Sequence, residues 1–244
     1  MNDRVRNSLA PTGRLRVAVN LRNFLLVASL ADNGEPIGVA ADIARQIAER
    51  LQLALDFVLY DGPRQLVDAA ADRQWDIGLI AIEPQRARHI AFTTAYAEIE
   101  ATYLVPTDSP LQSIEDVDQP AVTIASMTGS GFGLWLERNI RRASLIRADS
   151  HEAALSLFDT NKLDALAGLR PRLLNYQQQL TDTRLLEGNF TTIQQAIGVA
   201  NGTPDAVAYL QGIVEELKAT GFVAQSIARH RVRGLSVAAL GGGT

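Results

Sequence analysis

Cysteine is absent from the 244 residues. That one absence removes disulfides, thiolate metal sites and cysteine nucleophiles together. Histidine is scarce as well: His89, His151 and His230 lie far apart, with no spacing that would gather them around a metal. Long hydrophobic runs are missing, and no stretch approaches the roughly 20 apolar residues needed to cross a bilayer. There is no basic block or aromatic-basic stripe, and the charge balance is 23 − 27 = −4, so nucleic-acid binding is set aside. Met1 to Arg14 are polar and contain no apolar h-region, so no signal peptide is visible. Two expectations stay open on that point: a cytoplasmic protein, or a periplasmic one whose leader has been removed.

What is present is enough apolar residue, 47%, to build one large domain or two smaller ones. Leu15–Asn20 reads as a first strand. Ala40, Ile43, Ala44, Ile47, Ala48 and Leu51 then recur at spacings of three and four, one face of a helix. Leu55–Tyr60 predicts a second strand, Arg64–Arg73 a short helix and Ile77–Ile82 a third strand. Such alternation points to an α/β fold with a mainly parallel sheet and helices on both faces. Beyond the turn-rich Thr107–Pro110, the segments Val122–Ser126, Leu145–Ala148, Ala165–Leu169 and Thr192–Ala200 read as strands. Phe132–Arg142 and Glu152–Phe158 read as helices, and the residues around Gln177–Thr183 as a polar loop. Two helices follow, the first with Val207, Leu210, Val214 and Leu217 on its apolar face, the second over Phe222–Arg231. The glycine-rich tail Ala238–Thr244 is expected to be disordered. Two α/β units fit this pattern better than one long sheet, and a cleft between two such units is a common place for a small-molecule site.

The most informative window runs from Asp76 to Tyr96. Its apolar run, Ile77–Ile82, is too short for a helix and reads as a buried strand, stopped by Glu83-Pro84. Proline suits the first turn of a helix, so Arg86 is expected in the first turn of a short helix just past a strand end. Open α/β sheets bind ligands outside the carboxyl ends of their strands. An always-charged fork of donors there suits a carboxylate or phosphate; the plain alternative is a surface arginine at a strand end.

Several motifs occur in a telling order: Gly13 to Val19 (GRLRVAV), Gly38 to Ala44 leading into a helix, Trp75-Asp76-Ile77, Pro84-Gln85-Arg86 and Ile90 to Thr93. Gly129-Ser130, Leu163-Asp164-Ala165 and Thr220-Gly221-Phe222 complete the set. From about Leu15 to His230 the chain resembles the polar amino-acid-binding proteins of ABC importers, the family 3 extracellular solute-binding proteins. The resemblance implies the type II periplasmic-binding-protein fold, with two α/β domains joined by two crossing strands and a ligand cleft between them. The first domain would comprise residues 1–102 and 197–244, the second 103–196. Ligand binding would favour a closed state, a population shift rather than chemistry.

By the same resemblance, Arg86 matches the arginine that holds the ligand carboxylate. Gly129, Ser130 and Gly131, with Thr128 before them, match the segment whose amides and hydroxyl complete that site at a helix N-terminus. For Ser130 the alternative is an ordinary helix cap. The departures are pointed. The hydroxyl residues usual before the arginine are replaced in Ala81-Ile82-Glu83, so Glu83 either offsets Arg86, sits at a helix start, or takes over a ligand amine. The usual amine-binding aspartate position is Leu169, followed by Arg170, which either adds positive charge to the site or begins a solvated helix. Asn20 stands where aspartate is common, and Asn23 and Phe24 where an aromatic wall begins.

The resulting expectation is a non-enzymatic receptor with no cofactor or metal. It would be monomeric, bind a small anionic solute (an amino acid or amino-acid-like carboxylate), and partner an ABC permease if exported. One alternative is a cyclohexadienyl-dehydratase-like enzyme with Glu83 as proton donor, although an adjacent guanidinium keeps a carboxyl ionised and so weakens it as an acid. The other is a cytoplasmic metabolite sensor.

Overall fold

Strand and helix alternate along the chain, and the computed structural model describes residues 3–200 and 202–241. The order begins α1 (Asp3–Leu9), β1 (Arg14–Asn20), β2 (Ser29–Leu30), β3 (Pro36–Ile37), α2 (Val39–Leu51), β4 (Ala54–Tyr60), α3 (Pro63–Ala71) and β5 (Ile77–Ala81). It continues with β6 (Ile90–Pro106), β7 (Thr123–Met127), α4 (Gly131–Asn139), β8 (Ser144–Ala148), α5 (His151–Thr160), β9 (Ala165–Leu169) and α6 (Arg170–Gln179). Last come β10 (Thr183–Leu185), β11 (Thr191–Ala200), α7 (Pro204–Ala219), α8 (Phe222–Arg229) and β12 (Ser236–Val237). No described helix is long and apolar enough to cross a membrane.

The chain divides into two units, Met1–Glu98 with Gln194–Thr244, and Ile99–Ile193. The chain leaves the first within β6 and returns within β11, a few residues before the Thr102 and Ala196 positions that the resemblance implies.

In the first unit β1 lies between two parallel neighbours, β4 and β5, with Val17 opposite both Phe57 and Ile77. β11 then pairs with β5 antiparallel, Leu79 opposite Ile197. Asp76 sets the start of β5: its carboxylate accepts from the Arg16 backbone N–H at 2.8 Å and pairs with the Arg16 guanidinium at 2.7 Å. The stripe Ala40, Ile43, Ala44, Ile47, Ala48 and Leu51 of α2 is buried, as its spacing predicts. Trp75 is sealed under α3 and donates its indole N–H to the Leu66 carbonyl at 3.0 Å, which satisfies its one polar atom.

In the second unit the order runs β6–β9–β7–β8, with β10 also on β6. β9 meets β6 antiparallel (Ala101 opposite Leu169), while β7 is parallel to both β9 and β8. Leu104, Ala125, Phe158, Leu163, Leu166, Leu173 and Tyr176 form its core.

Two expectations change, and one stretch for which no element was expected is folded. The polar N-terminal stretch contains α1, which buries Val5 and Leu9 beside α7. The loop expected around Gln177–Thr183 is shortened by α6, a helix with little amphipathic signal because only Leu173 and Tyr176 of it are buried. The tail expected to be disordered is bound as far as Gly241; Gly242–Thr244 lie outside the described residues. Ser236 and Val237 pair with Glu98 and Ala97, and the Ala238 N–H donates to the Tyr96 carbonyl. Lys218, its side chain 1% exposed, donates to the Ala239 carbonyl at 2.8 Å and pairs with Glu215, which accepts from the Gly241 N–H and the Thr94 hydroxyl. Backbone pairing plus a buried cation holds what composition alone marks as loose.

Burial raises the Glu215 pKa, but Lys218, Thr94 and the Gly241 N–H outweigh it and leave the carboxyl below its ordinary value. A depressed carboxylate contributes stability that is present above its unfolded value, 4.5, and lost as pH falls through the folded one. Lys218→Met should therefore lower stability at pH 7 by about 2 kcal/mol in urea denaturation. The variant should also show a shallower loss of stability below pH ~4.5 than the parent protein.

Candidate functional site

The site builds outward from β5, whose five residues are all buried. The Ile82 N–H still donates to the Gln194 carbonyl, and then the chain turns. Pro84 can donate nothing to a ladder, and the Glu83 carbonyl accepts from the N–H groups of Arg86 and Ala87 at 2.9 and 3.1 Å. The short helix expected here is a single 3-10 turn, Arg86–Arg88, because Ile90 already begins β6. Three residues carry little dipole, so a favourable helix start no longer accounts for Glu83.

Arg86 is 3% exposed and Glu83 4%. The Arg86 guanidinium turns back and donates to the Ala81 carbonyl at 2.8 Å. Burial pushes its pKa down to about 10, against the opposing pull of the Glu83 charge, so it remains cationic at neutral pH. A sealed cation and a sealed anion thus share one turn at the carboxyl end of a strand. This excludes the exposed surface arginine, and the Glu83 charge acts on Arg86 from the same turn. Ala81, which has no side-chain hydroxyl, supplies a backbone acceptor.

β1 runs parallel to β5, so the loop after Asn20 leaves the same edge as the Glu83–Arg86 turn. Asn20 closes a local turn by accepting the Arg22 N–H at 3.1 Å. Asn23 accepts through its carbonyl from Leu26 and Val27, while its Oδ1 is buried without a donor among the described residues. Phe24 beside it is partly buried. Gln195, opposite Ala81 on β11 and 3% exposed, is a further polar group at this strand end. Sequence reading missed it, although a glutamine inside the strand TTIQQAIGVA was the available signal.

The other predicted residues sit in the second unit, past the parallel strands β7 and β9. The Thr128 N–H donates to the Ala148 carbonyl. Gly129 adopts φ +69°, the left-handed region that permits the turn. Ser130 caps α4, which begins at Gly131: its hydroxyl donates to the Met127 carbonyl at 2.8 Å and accepts from the Gly133 N–H at 3.0 Å. A hydroxyl has one proton, and this one is already committed to a carbonyl. Gly133, also missed, is required by the same turn: a Cβ there would lie 2.2 Å from the Met127 oxygen and 2.8 Å from Ser130 Oγ. Arg170 begins α6, pairs with Glu100 at 2.6 Å and donates to the Gly188 carbonyl. Its charge is balanced within its own unit. Among the described residues no group of three or more His, Asp or Glu is placed to hold a metal ion.

Residues 15–231 match the profile of the bacterial extracellular solute-binding proteins, family 3. The chain belongs to that family. It is 23% identical over 221 residues to the amino-acid-binding protein AabA of Dichelobacter nodosus, covering 85% of this chain and 84% of the relative. The fold is that of a putative ABC-transporter binding component from Wolinella succinogenes complexed with lysine: TM-score 0.72, 21% identity, 89% of this chain and 95% of that one. It is also that of an ancestral amino acid-binding protein described as a precursor of cyclohexadienyl dehydratase: TM-score 0.71, 19% identity, 92% and 97% covered. These likenesses show the type II periplasmic-binding fold; Ala81, Glu83 and Leu169 are features of this member's own chain.

Two stability measurements follow from the geometry. Glu83→Gln leaves a buried cation uncompensated and should cost about 3 kcal/mol in chemical denaturation. Glu83→Gln combined with Arg86→Met should cost at least about 1 kcal/mol less than the sum of the single changes; simple additivity would contradict the pairing. In the second unit, Ser130→Ala should cost about 1 kcal/mol and Gly133→Ala more, since the latter also displaces the Met127 carbonyl.

Proposed function

We propose that this family member is the substrate-binding component of an ABC importer, and that it receives a small amino-acid-like solute through the solute's carboxylate. The observation that carries the reading is Arg86, a charged guanidinium sealed at the carboxyl end of a parallel strand. A buried fork of donors at that place suits a planar carboxylate and discriminates by geometry as well as charge. The family and the lysine-bound neighbour support an amino-acid solute. Binding is the whole task in this reading, with no bond made or broken. Glu83 shares the Arg86 turn and its charge acts on the guanidinium as a counter-charge, which favours a receptor over a dehydratase. A receptor serving an importer works outside the cytoplasmic membrane and meets its permease there.

Calorimetry with the twenty L-amino acids tests the reading. At least one should bind, and Arg86→Met should weaken it by about 100-fold or more, the scale of a lost charge-assisted bidentate contact. Binding that survives Arg86→Met unchanged would rule out Arg86 as the carboxylate holder.

A further inference from the structure

The two sealed charges after β5 say more about the solute than Arg86 alone does. Glu83 and Arg86 bring opposite charges to one tight turn. A solute bearing only a carboxylate would leave this buried place with net negative charge beside Glu83, which a low-dielectric site penalises. A zwitterion adds no net charge. Its carboxylate and ammonium sit on one carbon and can lie head to tail against the ion pair, carboxylate on the guanidinium and ammonium on the Glu83 carboxylate. A carboxylate has about four lone-pair sites, enough to serve Arg86 and an ammonium together. The ammonium carries three donors, and the same sheet edge offers a second acceptor. Asn23 Oδ1, in the loop leaving the same edge of the β1–β5 pair, is buried with no donor among the described residues. A buried acceptor of that kind costs free energy until a donor reaches it. Ala81, with no side-chain hydroxyl, offers only its carbonyl, and that already accepts from Arg86.

We propose that Glu83, assisted by Asn23 Oδ1, is the ammonium receptor of this chain, so that the carboxyl edge of β1 and β5 reads a whole α-amino-acid head group. Glu83 is then the residue that selects zwitterionic amino acids over the corresponding deaminated acids. The proposal rests on the carboxylate reading of Arg86 and sharpens it.

Two matched panels decide the matter in calorimetry on the unmodified protein: the twenty L-amino acids, and the same compounds lacking the α-amino group. The expected result is that whichever amino acid binds does so about 10- to 100-fold more tightly than its deaminated partner, the range of one or two hydrogen bonds to a charged group. Glu83→Gln, checked for folding by circular dichroism, should erase most of that preference, and Asn23→Ala part of it. Should Glu83→Gln fail to fold, Glu83→Asp, which keeps the charge but shortens its reach, is measured in the same two panels, and a preference undiminished in both Glu83→Asp and Asn23→Ala would overturn the assignment. Equal binding of an amino acid and its deaminated partner would overturn the ammonium receptor and leave the carboxylate reading standing. Failure of both panels to bind would overturn both.

Discussion

A guanidinium sealed from water needs a counter-charge, and at the end of β5 that requirement organises the surrounding chain. Arg86 is buried, remains cationic, and has Glu83 on the same turn and the Ala81 carbonyl behind it. Desolvating two ions costs several kcal/mol each, so such a pair persists only when geometry and hydrogen bonds are good. Here the turn supplies both, since Pro84 ends the strand ladder and the Glu83 carbonyl takes the N–H groups of Arg86 and Ala87. β5 holds the turn in place. Its own start is fixed by the Asp76–Arg16 contacts and its length by pairing with β1 and β11.

The second unit solves a different problem with the same kind of strand end. Past β7, Gly129, Ser130 and Gly133 form a tight turn into α4 in which the Ser130 hydroxyl both donates and accepts and no extra carbon fits at Gly133. Past β9, Arg170 is balanced by Glu100 and the Gly188 carbonyl. The Arg170 charge is thus offset locally. Arg86, sealed at the end of β5, is the cation on which the carboxylate reading depends.

The fold was legible in the sequence wherever periodicity was strong. The α2 stripe repeats at helical spacing over three turns, and β5 is a pure apolar run, so neither left much choice. Legibility failed where structure depends on partners distant in sequence. β12 exists because strand β6 presents an edge at Ala97 and Glu98, and the Lys218 ammonium waits at Ala239; nothing in AALGGGT announces either. α6 is polar on most of its surface, so its two buried residues carry no clear period. For the site, residue identity pointed to Arg86 and Ser130, but not to what their atoms do. A cap and a ligand contact use the same serine, and only the direction of its proton separates them. Gly133 and Gln195 went unnoticed because a glycine early in a helix and a glutamine in a strand look unremarkable until their neighbours are placed.

A crystal structure of the protein with its bound amino acid tests the central claim most directly. The expected result is a ligand carboxylate within about 3.2 Å of the Arg86 guanidinium nitrogens, with the ammonium turned toward Glu83. A ligand held elsewhere, its carboxylate away from the Arg86 guanidinium, would contradict it.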